Sequence, residues 1–400
     1  MTDQLLSRLR FRGPKRILSL DGGGIRGCAT LGYLEHIEEI IRERMSPEAT
    51  LADYFDLIGG TSTGAIIATL LALGHSVAEV RQRYLELGPN VFSRRTLWAR
   101  LPWLGPKLFT AWSVKPLEQH AKRLFSEKTT LGSPSMHTGL CIVTMRADTV
   151  SVWPYFNHPG SQYYKDNADI PLWKLIRATS AAPTYFRPIK LDVGEPGKPD
   201  YGIFIDGGVS IANNPALLLF ELATLKGFRL EWATGADKLL LVSVGTGRFP
   251  QRLREKDLLG SQNVFWAHTV PEILMHDASE HNERMLQYLS ESPTARRIDW
   301  ETGDLKGDLL GGQAQLSYVR YNVEFEQEEL RAASIETTEK ELRSLRDMSA
   351  GANARRLYEI GKACAKQHCR RDHFPAGFDP TQPPAVKPGV FASPLVAPSP

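Results

Sequence analysis

Short apolar runs alternate with stretches of helical period along the first 250 residues of this chain. Ile17-Leu18-Ser19-Leu20 reads as a buried strand, and Leu31, Leu34, Ile37, Ile40 and Ile41 then recur on one helix face. Residues 55–58 predict a second strand, with helices over 65–73 and 77–87. Strands are expected at 140–145, 152–156 and 203–205, with helices at 172–178 and 216–225. Residues 238–244 form a nearly continuous apolar run, the clearest buried strand in the sequence. Strands alternating with helices predict an α/β fold with a mostly parallel sheet covered on both faces.

Beyond Gly247 the pattern weakens to helical segments at 265–289 and 339–369. Eight of the chain's 26 prolines fall between 371 and 400, a density that reads as a tail. The expected organisation is an N-terminal arm at 1–14 and one catalytic domain at 15–370. That domain comprises a core at 15–250 and a C-terminal helical portion at 251–370, with the proline-rich tail at 371–400 following it.

Composition narrows the function classes. A 400-residue chain that is 42% hydrophobic and 23% charged can bury a large core, and its net charge of +3 is too small to favour a nucleic acid polymer. Cys28, Cys141, Cys364 and Cys369 lack disulfide or zinc spacing, which points to a reducing compartment and no metal. Residues 1–15 lack the apolar centre of a secretion signal, and the apolar stretch at 65–73 is too short to span a bilayer. A cytoplasmic protein, with no cofactor, is expected.

Two glycine-rich motifs carry the chemistry. Gly60-Thr61-Ser62-Thr63-Gly64 sits between a predicted strand and a predicted helix, so Ser62 falls at the apex of a strand-to-helix turn. Serine nucleophiles of α/β acyl hydrolases occupy that position, and the flanking glycines let the turn close. By itself the five-residue pattern arises by chance in roughly one chain in ten of this length; its strand and helix context is what raises it.

The second motif is Asp21-Gly22-Gly23-Gly24-Ile25-Arg26-Gly27. Its glycines also fit a dinucleotide loop, but the next strand runs into the serine turn and offers no acidic residue for a ribose. A sugar-kinase reading would want a β-hairpin after the glycines, where the helical period from Thr30 to Ile41 stands instead. The remaining account is an oxyanion hole, with Gly22 through Gly27 as the candidate loop. Arg26 adds positive potential suited to a phosphorylated substrate, or else an ion pair that holds the loop.

A serine nucleophile needs a base. His268, His276 and His281 are available but lie within a helical stretch. Asp206, followed by Gly207 and Gly208, ends a predicted strand, where α/β sites assemble. Asn213 or Asn214 is expected to cap the next helix.

Taken in order, Asp-Gly-Gly-Gly-Ile-Arg-Gly, Gly-Thr-Ser-Thr-Gly and Asp-Gly-Gly resemble the signature of patatin-like phospholipases. Arg177-Ala178-Thr179-Ser180-Ala181-Ala182-Pro183 and Val244-Gly245-Thr246-Gly247 are similar to that family's framework segments. The resemblance covers roughly residues 15–247. It implies a three-layer α/β/α fold related to α/β hydrolases, and a Ser–Asp dyad of Ser62 as nucleophile and Asp206 as proton acceptor. It further implies a lipid acyl hydrolase that meets membrane phospholipids peripherally. Some bacterial members are gated by cyclic nucleotides in antiphage signalling, so a cyclic nucleotide activator is one expectation and a homo-oligomer another. A non-catalytic lipid-binding or storage protein is the alternative from another class.

Between Glu86 and Glu118 no acidic residue occurs, and Arg94, Arg95 and Arg100 are interleaved with Trp98 and Trp103. Cations mixed with tryptophan suit the surface of an anionic bilayer, so this segment reads as a lid or membrane-docking element.

Overall fold

The computed structural model describes residues 3–91, 112–194, 197–249 and 263–380. Its centre is a mixed, mostly parallel sheet in the order β5-β6-β3-β2-β1-β7-β9-β8, with β4 also paired to β3. The strands are β1 Lys15–Leu20, β2 Leu57–Thr61, β3 Gly139–Arg146, β4 Ser151–Phe156, β5 Ile189–Asp192, β6 Tyr201–Asp206, β7 Leu239–Val244, β8 Ser290–Glu291 and β9 Leu316–Tyr321. Every residue of β1, β2 and β7 is buried, as befits parallel strands covered on both faces.

Helices flank the sheet in an α/β/α arrangement. They include α1 Asp3–Arg10, α2 Gly27–Arg44, α3 Thr63–Ala72, α4 Leu172–Thr179, α5 Ala216–Thr224, α6 Asn263–Leu289 and α7 Ala354–His368. α5 seals the face on which Gly59 lies, where a Cβ would come within 2.5 Å of Leu219. α2 and α7 cross backbone against backbone: a Cβ on Gly32 would stand 2.3 Å from the Lys362 nitrogen. No helix among the described residues is long and apolar enough to cross a membrane.

The segments at the two ends of the expected domain join the folded body. Leu5 and Leu9 of α1 are buried in the core, and Trp232 donates its indole N–H to the Leu9 carbonyl at 2.9 Å. The 251–370 portion supplies β8 and β9 to the sheet as well as helices. At the start of the proline-rich stretch, Phe374 and Phe378 are buried, and Arg44 pairs with Asp379 at 2.7 Å. Residues 381–400 of that stretch lie outside the described residues, as do Arg94, Arg95, Trp98, Arg100 and Trp103.

Candidate active site

β2 ends at Thr61 and α3 begins at Thr63, which leaves Ser62 alone in the turn between them. Its backbone is held at φ 51°, ψ −120°, a conformation that L-residues resist. The turn closes because Gly60 and Gly64 have no side chains: a Cβ on Gly60 would lie 2.3 Å from the Gly64 carbonyl carbon, and one on Gly64 would lie 2.2 Å from the Leu20 oxygen. The Ser62 amide is taken up by Thr179 Oγ1 at 2.8 Å, and that hydroxyl in turn donates to the Val143 carbonyl. Ser62 as a whole is half-buried.

Asp206 closes β6, which pairs antiparallel with β3 so that Thr144 stands opposite it. Ser62 Oγ donates to Asp206 Oδ2 at 2.6 Å, and the Gly208 amide donates to Oδ1 at 2.7 Å. Asp206 is only 5% exposed. Burial pushes its carboxyl up to about 6, against the opposing pull of the Ser62 hydroxyl and the Gly208 amide. Gly207 has its own close contact, since a Cβ there would meet the Val143 carbonyl oxygen at 2.7 Å.

The glycine loop lies beside this pair. Gly22 donates to the Asn213 carbonyl at 3.0 Å, Ile25 to Met348 at 2.9 Å and Arg26 to Gly23 at 3.2 Å, and the Gly27 amide closes on the turn before it. Gly23 and Gly24 donate to no described group, so theirs are the N–H groups the loop leaves available. Of the whole run from Gly22 to Gly27, the site therefore offers two adjacent donors. The Gly24 carbonyl is tied to Thr63 Oγ1 at 2.9 Å and to the Tyr84 hydroxyl at 2.8 Å, which joins the loop to the serine turn.

Arg26 sends its guanidinium over the Phe249 ring, 5.4 Å from the centroid, and Nε toward the Gly23 carbonyl at 3.4 Å. Burial, reinforced by Arg346, lowers its pKa to about 10. Arg26, Arg346, Phe249, Asn213 and Asp21 border a cavity of about 300 Å³ next to the loop. Of the three histidines, His276 lies on that cavity wall, and His281 stands 3.2 Å from Arg284. The hydrogen-bond partner of Ser62 Oγ is Asp206, and neither described histidine takes that place. The side chain of His268 lies outside the described residues. Neither asparagine is the helix cap, a place Pro215 takes; Asn214, just before it, accepts from the Ala216 amide at 3.1 Å, and Asn213 serves the glycine loop.

The family model for patatin-like phospholipases matches residues 18–220, the stretch that contains the glycine loop, the serine turn and Asp206. The chain belongs to the patatin-like phospholipase family. Curated relatives include Patatin-17 of Solanum cardiophyllum, 29% identical over 58% of this chain and 60% of its own length. Two are bacterial proteins named cGAMP-activated phospholipase. The one from Vibrio cholerae is 34% identical over 52% of this chain and 57% of its own. The one from Escherichia coli is 28% identical over 58% and 62%. The chain thus spans about three fifths of the length of the curated relatives it matches. Among solved structures, VipD from Legionella pneumophila aligns at a TM-score of 0.33 and 12% identity, over 89% of this chain and 67% of that one.

Several residues that hold this patatin-like site carry no motif of their own. Thr179, Asn213, Thr246 and Met348 each bind the backbone of a motif residue, and nothing in their spacing marks them beforehand. Thr179 and Thr246 fall in the two framework segments and Asn213 was a cap candidate, but none of these signals assigned them this part, and Met348 carried no signal at all.

Proposed function

We propose that this chain is a serine acyl hydrolase that cleaves fatty-acyl esters of membrane phospholipids through Ser62 and Asp206. The observation that carries this reading is the 2.6 Å hydrogen bond from Ser62 Oγ to a buried carboxylate whose pKa is pushed up to about 6. A carboxylate of that basicity accepts a hydroxyl proton far better than an ordinary surface aspartate does. Ser62 Oγ attacks the ester carbonyl as its proton passes to Asp206 Oδ2. The oxyanion that forms is met by the N–H groups of Gly23 and Gly24. Asp206 then gives its proton to the departing alcohol, takes one from the incoming water, and the fatty acid leaves as Ser62 is restored.

The test is fatty-acid release from phospholipid vesicles by the full chain. Ser62→Ala and Asp206→Asn are each expected to abolish release while the far-ultraviolet circular dichroism stays that of the parent. Covalent labelling of Ser62 by a fluorophosphonate separates this reading from an idle lipid-binding or storage protein. Release by the Ser62→Ala protein at the parent rate overturns it.

The likeness to two relatives named cGAMP-activated phospholipase supports a second layer, in which a cyclic nucleotide switches the hydrolase on. Release measured with and without a panel of cyclic mono- and dinucleotides decides it; equal rates throughout exclude gating by those ligands. Peripheral membrane contact through the segment holding Arg94, Arg95, Trp98, Arg100 and Trp103 belongs to the same proposal. Neutralising its three arginines is expected to weaken vesicle binding.

A further inference from the structure

The loop bearing Gly23 and Gly24 is held from a part of the chain outside the matched stretch, which ends at 220. Arg320, on β9, donates from Nη1 to Asp21 Oδ1 at 2.8 Å and from Nη2 to Asp21 Oδ2 at 2.6 Å. The same Nη1 reaches Ser243 Oγ at 2.7 Å. Strand register explains the reach: Ser19 of β1 stands beside Ser243 of β7, and Ser243 beside Arg320 of β9. The three side chains form one row across the sheet, and Asp21 is the residue directly after β1. Asp21 and Arg320 are both buried. Burial pushes the Asp21 carboxyl above its ordinary value, and the two guanidinium N–H groups on its oxygens pull the other way, favouring the ionised form. Burial works against the charge on Arg320, and Asp21 more than reverses this, holding the guanidinium above its ordinary pKa.

A buried ion pair is weak evidence for stability, so its geometry is the more informative property. Asp21 donates its amide to Val244 at 3.2 Å, and the Gly22 carbonyl accepts from Thr246 Oγ1 at 2.8 Å. With the side chain of Asp21 fixed as well, the backbone enters Gly23 in a single orientation. We propose that Arg320 is a positioning residue for the oxyanion-binding loop, its planar fork setting the direction in which the Gly23 and Gly24 N–H groups point. It also neutralises a carboxylate next to the place where negative charge develops. This inference rests on the Ser62–Asp206 hydrolase reading. It assigns a role in that reaction to β9, which the family's three motifs do not include.

The test uses the full chain, a soluble short-chain p-nitrophenyl ester, and kcat referred to the number of Ser62 sites that a fluorophosphonate labels at completion. For Arg320→Met, kcat per labelled site is expected to fall about 100-fold, the scale of a misplaced or lost oxyanion donor. KM should stay within about twofold, because the interaction lost is one made in the transition state. Affinity for a trifluoromethyl ketone, which mimics the oxyanion, should fall in parallel. Arg320→Lys should share most of the loss, since an ammonium cannot reproduce the fork. A merely structural role lowers the number of labelled sites and leaves kcat per site and ketone affinity unchanged; that result overturns the proposal. If Arg320→Met does not fold, Ser243→Ala decides the same question: a drop of roughly fivefold in kcat per site supports it and an unchanged kcat overturns it. An active Ser62→Ala protein would sink the hydrolase reading itself. An inactive Ser62→Ala beside normal Arg320 variants sinks only this inference.

Discussion

Ser62 Oγ and Asp206 Oδ2 lie 2.6 Å apart although 144 positions separate them in sequence. One strand brings them together. β4 runs along one edge of β3, and on the other edge β3 pairs first with β2, where Val143 meets Thr61, and then with β6, where Thr144 meets Asp206. Consecutive residues of β3 thus bring the ends of β2 and β6 together on one edge, and each strand end carries half of the candidate dyad.

The first prediction concerns pH. Asp206 must be ionised to accept the serine proton, and its carboxyl is pushed up to about 6 by burial. On a soluble ester kcat/KM should therefore rise with pH and level off above neutrality, with the value at pH 5 about tenfold below the plateau. A profile flat from about pH 5 to pH 8 removes Asp206 from the role of base.

The same shift has a consequence for stability. Because the folded-state pKa lies above the unfolded one, the native protein keeps a proton that the unfolded chain releases as pH rises from about 4 to about 6. Stability falls through that window, by up to about 3 kcal/mol, and stays lower above it. Asp206→Asn carries no such charge. It should be inactive yet melt higher than the parent at pH 8, with no advantage at pH 4. Melting curves at the two pH values check this, and an equal gain at both contradicts it.

Backbone strain at Ser62 gives a third expectation. A side chain held at φ 51°, ψ −120° costs on the order of 1–3 kcal/mol, and only glycine escapes most of it. Ser62→Gly should thus be more stable than Ser62→Ala by about 1 kcal/mol, both variants being inactive. Urea midpoints compare them directly; a glycine variant no more stable than the alanine one means the turn is relaxed.

Asp56 offers a prediction remote from the chemistry. It precedes β2, at the opposite end of that strand from Ser62, and takes Arg8 at 3.0 Å and Arg16 at 2.8 Å. Burial alone would raise its pKa, but the two guanidiniums lower it. The stabilisation is therefore complete above the unfolded pKa of about 3.9 and is lost as pH falls through the lower folded value. Asp56→Asn should cost about 3–5 kcal/mol at neutral pH, since it strands buried cations, while kcat per labelled serine is unchanged. A neutral-pH urea midpoint equal to the parent's contradicts it.

The central strands were legible because burial on both faces leaves few polar positions: 17–20 is apolar but for Ser19, and 239–244 but for Ser243. Asp206 was legible because a strand end, an acid and two glycines fell together. β9 was not. Its sequence, Leu-Ser-Tyr-Val-Arg-Tyr, is interrupted by Arg320, which reaches Asp21, and by Ser317, which donates to the Ala236 carbonyl at 2.7 Å. The residues that make that strand useful to its neighbours are the ones that hide it from a search for apolar runs. Phe374 and Phe378 were masked in another way, by prolines at 375 and 380 that suggested an unpacked chain. Pro375 caps a short 3₁₀ turn over 376–378, and both rings are buried in the core.

The sheet order has a consequence for anyone dividing this chain. The family match stops at residue 220, yet β1, where that match begins, pairs over its full length with β7 at Leu239–Val244. A fragment cut where the likeness ends would leave one whole side of β1 without its neighbour, an apolar strand edge open to pairing with another chain. Such a fragment should aggregate, because the border of sequence likeness runs through the middle of the sheet.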